Sequence, residues 1–299
     1  MRPLPRCMGQ FMPSMRTLLD LVLGYGASAE KRGGPRYLTP SVTISYGDHP
    51  LQALDLHLLP SDEPRPLIAF LHGGAWQFGD KTRRTKDMKA AFAHSEGYHF
   101  ASLNFRMVPE VRVADLARDT AAAVASLFER ADEFGIDQKR IVLMGHSSGA
   151  HLAALLASDP ALLGAHGLAP HELAGVILNE GAAFDLSAPS TKSAFLRRLL
   201  LDPAFADESE LNSFSPVYHI GAHKGPFPPA LILSRHSRCG RSQSHLLANA
   251  LRNANNDMVL ADFPERGIFG HVRLSRQFGR PGYGPTEAAR AWLRSLQRR

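Results

Sequence analysis

Gly145-His146-Ser147-Ser148-Gly149 places a serine between two glycines in the pattern G-x-S-x-G. Small residues on either side are what a sharp strand-to-helix turn demands, and a serine held on such a turn presents its hydroxyl as a nucleophile. Ser147 is therefore the candidate nucleophile. Arg140 to Met144 before it reads as a short apolar strand, and Ala150 to Ala157 after it has high helix propensity. A second piece of the chemistry is His72-Gly73-Gly74-Ala75-Trp76, which closes the apolar run Pro66 to Leu71. Glycines at a strand end let backbone N–H groups converge on a tetrahedral oxyanion. Gly73 and Gly74 would supply one side of that hole, and the N–H of Ser148, at a helix start, the other. Together the two motifs point to acyl transfer.

The elements that must position these groups follow from patterning. From Ser41 onward, strand-like segments alternate with helical ones, the signature of an α/β fold whose parallel strands are joined by helices. Ser41 to Tyr46 and Leu51 to Leu59 read as a hairpin across Gly47 to Pro50. Further strands are expected at Pro66 to Leu71, His99 to Phe105, Arg140 to Met144, Leu173 to Leu178, Ala230 to Leu233 and Met258 to Phe263. Val113 to Phe134 and Thr286 to Leu296 carry apolar residues at helical spacing. The stretch from Leu186 to Pro216 is polar and irregular apart from a helical piece at Ser193 to Leu201, and reads as a small cap-like insertion (187–216) over the carboxyl edge of the sheet.

These features are carried by the α/β-hydrolase family, which the sequence resembles from about Tyr37 to Leu296. It is most similar to the esterases and lipases with an HGG loop and to the arylformamidase-like group. The shared residues are Leu54-Asp55, His72 to Trp76 with Gly79-Asp80-Lys81, Asn104-Phe105-Arg106 with Pro109-Glu110, the GHSSGAH stretch and Gly270-His271. The resemblance implies an eight-stranded, mostly parallel sheet flanked by helices, with ester hydrolysis through an acyl-enzyme at its carboxyl edge.

In that fold the nucleophile precedes the acid and the acid precedes the base. The base is thus sought after the last strand, where His271 stands in or just after the loop from Pro264 to Gly270. His146 reads as a packing neighbour of the elbow and His72 as a shaper of its loop. The acid departs from the family pattern: past the strand Ala230 to Leu233 the chain reads Ser234-Arg235-His236-Ser237-Arg238-Cys239-Gly240-Arg241, with no carboxylate. Glu180, after the strand Leu173 to Leu178, is the favoured substitute, with Glu265, Asp185 or no acid at all as the alternatives.

Composition bounds the rest. The chain has 299 residues, 44% hydrophobic and 21% charged, with mean hydropathy −0.16, the profile of a globular protein with one large core. Residues 37–299 read as one domain and 1–36 as an extension, a flap over the site or a frayed terminus around Met8, Phe11, Met12 and Met15. Two cysteines, Cys7 and Cys239, lie in no zinc-binding pattern, and neither a metal nor a cofactor is expected. The net charge of +6 comes from arginines scattered along the chain, which argues against nucleic acid as a partner. The run Leu18 to Leu23, broken by Asp20, is too short for stable membrane insertion, and a cytoplasmic location is expected. The expected activity is serine-dependent hydrolysis of small or medium acyl esters, with Trp76 and Phe184 lining the substrate pocket. The alternatives are an arylformamidase-like N-formyl amide hydrolase and a catalytically impaired binding protein.

Overall fold

The structure is a computed structural model that describes residues 41–82, 85–181, 183–188, 204–205, 207, 210–222, 225–235 and 238–298. The expected extension 1–36, and the helical piece and much of the cap expected within 187–216, lie outside the described residues.

Eight strands form one sheet in the order β1-β2-β4-β3-β5-β6-β7-β8. β1 (Val42–Ser45) and β2 (Ala53–His57) form the expected hairpin, and β2 pairs antiparallel with β4 (His99–Leu103). From there on β3 (Arg65–Leu71), β5 (Ile136–His146), β6 (Gly175–Asn179), β7 (Ala230–Arg235) and β8 (Met258–Phe263) all run parallel. This is the α/β-hydrolase fold.

Burial on both faces explains why the central strands read as continuous apolar runs. Along β3, Leu67, Ala69 and Leu71 pack on one side, against Leu116 and Val124 of α2 (Val113–Glu129) and Leu152 and Leu155 of α3 (Ser148–Ser158). Ile68 and Phe70 face the other side with Phe92 of α1 (Thr85–Ser95) and, further along, Trp292 of the carboxyl-terminal helix.

Two boundaries differ most from expectation. β5 starts at Ile136, because Arg65 pairs with Ile136 across an irregularity before the apolar register of Leu67 with Ile141 resumes. The helix expected to reach Phe134 ends at Glu129; a separate turn, Ala131–Phe134, follows and is closed by Gly135 at φ 61°. Glycine takes that left-handed conformation without a Cβ penalty.

Candidate active site

The site is assembled where β3, β5, β6 and β7 end. β5 delivers Ser147 directly into the first turn of α3, with φ 56° and ψ −119°. A non-glycine residue at positive φ costs on the order of 1–3 kcal/mol and persists only where its surroundings over-determine it. The flanking glycines show how. A methyl group at Gly145 would stand 2.2 Å from the carbonyl oxygen of Gly149, and one at Gly149 would stand 2.2 Å from that of Leu71. The elbow closes because neither residue has a side chain, and the Ser147 N–H donates to the Asn179 carbonyl at 3.0 Å to tie it to β6.

The loop after β3 is packed onto this elbow. A methyl group at Gly73 would lie 2.7 Å from the His146 carbonyl oxygen and 3.0 Å from Ser147 Cβ, so the loop backbone reaches Ser147 only as glycine. Gly74 follows at φ 147°, and then Ala75 and Trp76 take φ 55° and 61°. The family-like residues outside the loop hold it in place. His72 stacks on Phe105 at 4.5 Å, and Asn104 accepts from Lys81 N while its amide donates to Asp80 Oδ2 at 3.0 Å. Ser148, the expected third oxyanion donor, is the first residue of α3.

His271 arrives from the element between β8 and the carboxyl-terminal helix. It does not sit in a loop, as expected, but within a helix, α4 (Gly267–Arg276), whose Gly267 and Gly270 weaken the helical signal in the sequence. Its Nε2 lies 3.0 Å from Ser147 Oγ, within hydrogen-bond reach. Three side chains from elsewhere bond backbone carbonyls of this helix. His146 Nε2 donates to the His271 carbonyl at 3.2 Å, Asn179 Nδ2 to that of Leu274 at 3.1 Å, and Lys89 Nζ to that of Ser275 at 2.8 Å. Burial, then the neighbouring His271 and Lys89, hold the His146 imidazole well below its ordinary pKa. Burial also lowers the Lys89 ammonium to about 7. Asn179 and Lys89 belong to no motif in the sequence, because their contacts are with residues remote from them in the chain.

Glu180 stands at φ 55° just past β6 and is fully buried. Its Oε2 accepts from the Arg235 N–H at 2.7 Å, and its Oε1 lies 2.6 Å from Arg235 Nε, an ionic contact without hydrogen-bond alignment. His271 Nδ1 stands 3.8 Å from the same Oε1, beyond hydrogen-bond length but at ion-pair distance once the imidazole is protonated. The other carboxylates weighed from sequence are engaged elsewhere: Glu265 accepts from Tyr283 Oη at 2.8 Å, and Asp185 accepts from the Ser187 N–H at 2.9 Å.

Trp76 and Phe184, the residues expected to line the substrate pocket, are both buried. Trp76 is 5% exposed and Phe184 is fully buried, with its ring where a side chain at Gly181 would go. Both rings belong to the core cluster that includes residues of the sheet and of α3.

The BD-FAE family model matches residues 54–251, about two-thirds of the chain. The chain belongs to the BD-FAE family. As a BD-FAE protein it shares 36% identity over 115 residues with the isoprenylcysteine alpha-carbonyl methylesterase of Arabidopsis thaliana, a match covering 38% of this chain and 26% of the relative. The kynurenine formamidase of Danio rerio is 28% identical over 156 residues, covering 50% of this chain and 51% of the relative. The chain thus spans between about a quarter and a half of the length of these curated relatives. Among solved structures, a phosphonate-inhibited esterase B from Lactobacillus rhamnosis superposes with TM-score 0.70 over 96% of each chain at 19% identity, a likeness of fold. Among the described residues of this BD-FAE protein, no helix is long and apolar enough to cross a membrane, and no group of three His, Cys, Asp or Glu could hold a metal ion.

Proposed function

We propose that this BD-FAE protein is a serine hydrolase of carboxylic esters with small or medium acyl chains. The observation that carries the reading is the 3.0 Å approach of His271 Nε2 to Ser147 Oγ on a positive-φ elbow. His271 takes the hydroxyl proton as Oγ bonds to the ester carbonyl carbon, and backbone amides of Gly73, Gly74 and Ser148 receive the oxyanion. The carbonyl re-forms as the alcohol leaves with the proton from His271. Water, deprotonated by the same imidazole, then releases the acid and frees Ser147. Glu180 faces Nδ1 and stabilises the imidazolium that forms in each half.

The esterase names among the relatives support the bond class, and the formamidase relative favours a second reading, hydrolysis of an aryl N-formyl amide by the same nucleophile. Both are tested by measuring turnover of p-nitrophenyl acetate, p-nitrophenyl butyrate and N-formylkynurenine with wild type, Ser147→Ala and His271→Ala. The ester reading expects wild type to turn over the esters and each variant to lose at least about 10³-fold in kcat. Turnover of the formamide alone would select the second reading. Wild type no faster than Ser147→Ala on every substrate would leave a binding protein.

A further inference from the structure

His151 stands one turn after Ser147 on α3, outside the proton path from Ser147 to Glu180, and is fully buried. Both ring nitrogens are engaged. The Trp76 indole Nε1–H donates to His151 Nδ1 at 3.3 Å, and His151 Nε2 donates to the Phe214 carbonyl at 2.7 Å. The two rings meet edge to face with centroids 5.3 Å apart. An acceptor at Nδ1 together with a donor at Nε2 describes only the neutral Nε2–H tautomer. Burial favours that form, lowering the imidazole pKa to about 4.

The other end of the Trp76 contact matters more. Ala75 and Trp76 are consecutive non-glycine residues in the left-handed region, immediately after Gly73 and Gly74. Backbone of that kind relaxes unless packing holds it. The Trp76 carbonyl accepts from the Val108 N–H at 3.0 Å, and its indole N–H is held by His151. The His151 N–H in turn donates to the Ser147 carbonyl at 3.1 Å. One residue therefore joins the elbow backbone to the loop that faces it.

We propose that His151 is a positioning residue that locks the oxyanion loop to the nucleophile helix through the Trp76 indole, keeping loop amides and Ser147 Oγ in one register. The proposal rests on the hydrolase reading above. Oxyanion donors act where charge develops, so their displacement lowers kcat more than it raises KM.

The experiment uses the full chain and compares wild type, His151→Gln, His151→Phe, Trp76→Phe and the double variant His151→Phe/Trp76→Phe. Glutamine retains an acceptor and a donor; each phenylalanine retains a ring without the hydrogen bond. Measured for each are kcat and KM on p-nitrophenyl butyrate, the rate of covalent labelling by a fluorophosphonate, and Tm. The expected result is a loss of about 10- to 100-fold in kcat and in labelling rate for His151→Phe and for Trp76→Phe, with KM within about threefold. The double variant should be no worse than the worse single one, and His151→Gln should recover most of the loss. A folded Trp76→Phe with wild-type kcat overturns the proposal, as do single losses that multiply in the double variant. Because Trp76→Phe tests the same bond, the outcome stands even where His151→Phe does not fold. Labelling separates the two claims. If wild type labels at Ser147 but turns over no ester, the hydrolysis reading falls while the coupling is still read from labelling rates. If wild type does neither, both fall.

Discussion

At the scale of single residues, the unusual feature is a buried carboxylate shared between an arginine and an imidazole. Glu180 is 0% exposed and Arg235 12% exposed, so removing one charge leaves the other poorly solvated. Glu180→Gln is expected to lower kcat by about 10²- to 10⁴-fold, because the imidazolium loses its counter-charge. It should also lose about 3 kcal/mol of stability through the stranded guanidinium. The double variant Glu180→Gln/Arg235→Gln separates the two effects: denaturant unfolding should show much of the stability restored, while steady-state assays should show kcat still low. Activity within threefold of wild type in Glu180→Gln would remove Glu180 from the mechanism.

At the scale of elements, the strand-turn-helix unit formed by β5 and α3 tolerates no added volume at its glycines. Gly149→Ala drives a methyl group to 2.2 Å from the Leu71 carbonyl, a backbone atom of a central strand that has nowhere to move. The expected outcome is a loss of fluorophosphonate labelling together with a lower Tm. Gly164, at the end of the short helix Pro160–Gly164, meets nothing within 4 Å of a built Cβ and is the matched control. Gly164→Ala should leave labelling unchanged and alter stability by no more than about 1 kcal/mol, in the stabilising direction. Equal damage from both substitutions would show that the elbow's close packing has no special part in forming the site.

At the scale of the whole molecule, Lys89 joins α1 to the end of α4 across a sequence separation of 186 residues. Burial lowers its pKa from 10.5 to about 7. Between those values the unfolded chain binds a proton that the folded chain does not, so this group favours folding increasingly as pH rises from about 7 to about 10.5. Below about 7 its contribution is flat and at its least favourable. Urea unfolding of wild type and Lys89→Met at pH 6.5, 8 and 9.5 should show the difference moving in favour of wild type as pH rises. A difference independent of pH would mean that the ammonium is not held in a desolvated site.

What the sequence by itself determined is whatever depends on local backbone sterics and on continuous apolar runs. The elbow at Ser147 was legible because Gly145 and Gly149 are required within one turn, and the central strands because both of their faces are buried. His271 was legible by chain order, yet the helix that carries it was not, since Gly267 and Gly270 blur its periodicity. Tertiary structure alone decided that Arg235 holds Glu180 beside His271, and how deeply Trp76 and Phe184 are buried. It also decided that His146, Asn179 and Lys89 converge on three carbonyls of one helix. Those relations are hydrogen bonds and ion pairs between residues brought together only where neighbouring parallel strands end, and no local pattern of residue types encodes which strand ends become neighbours.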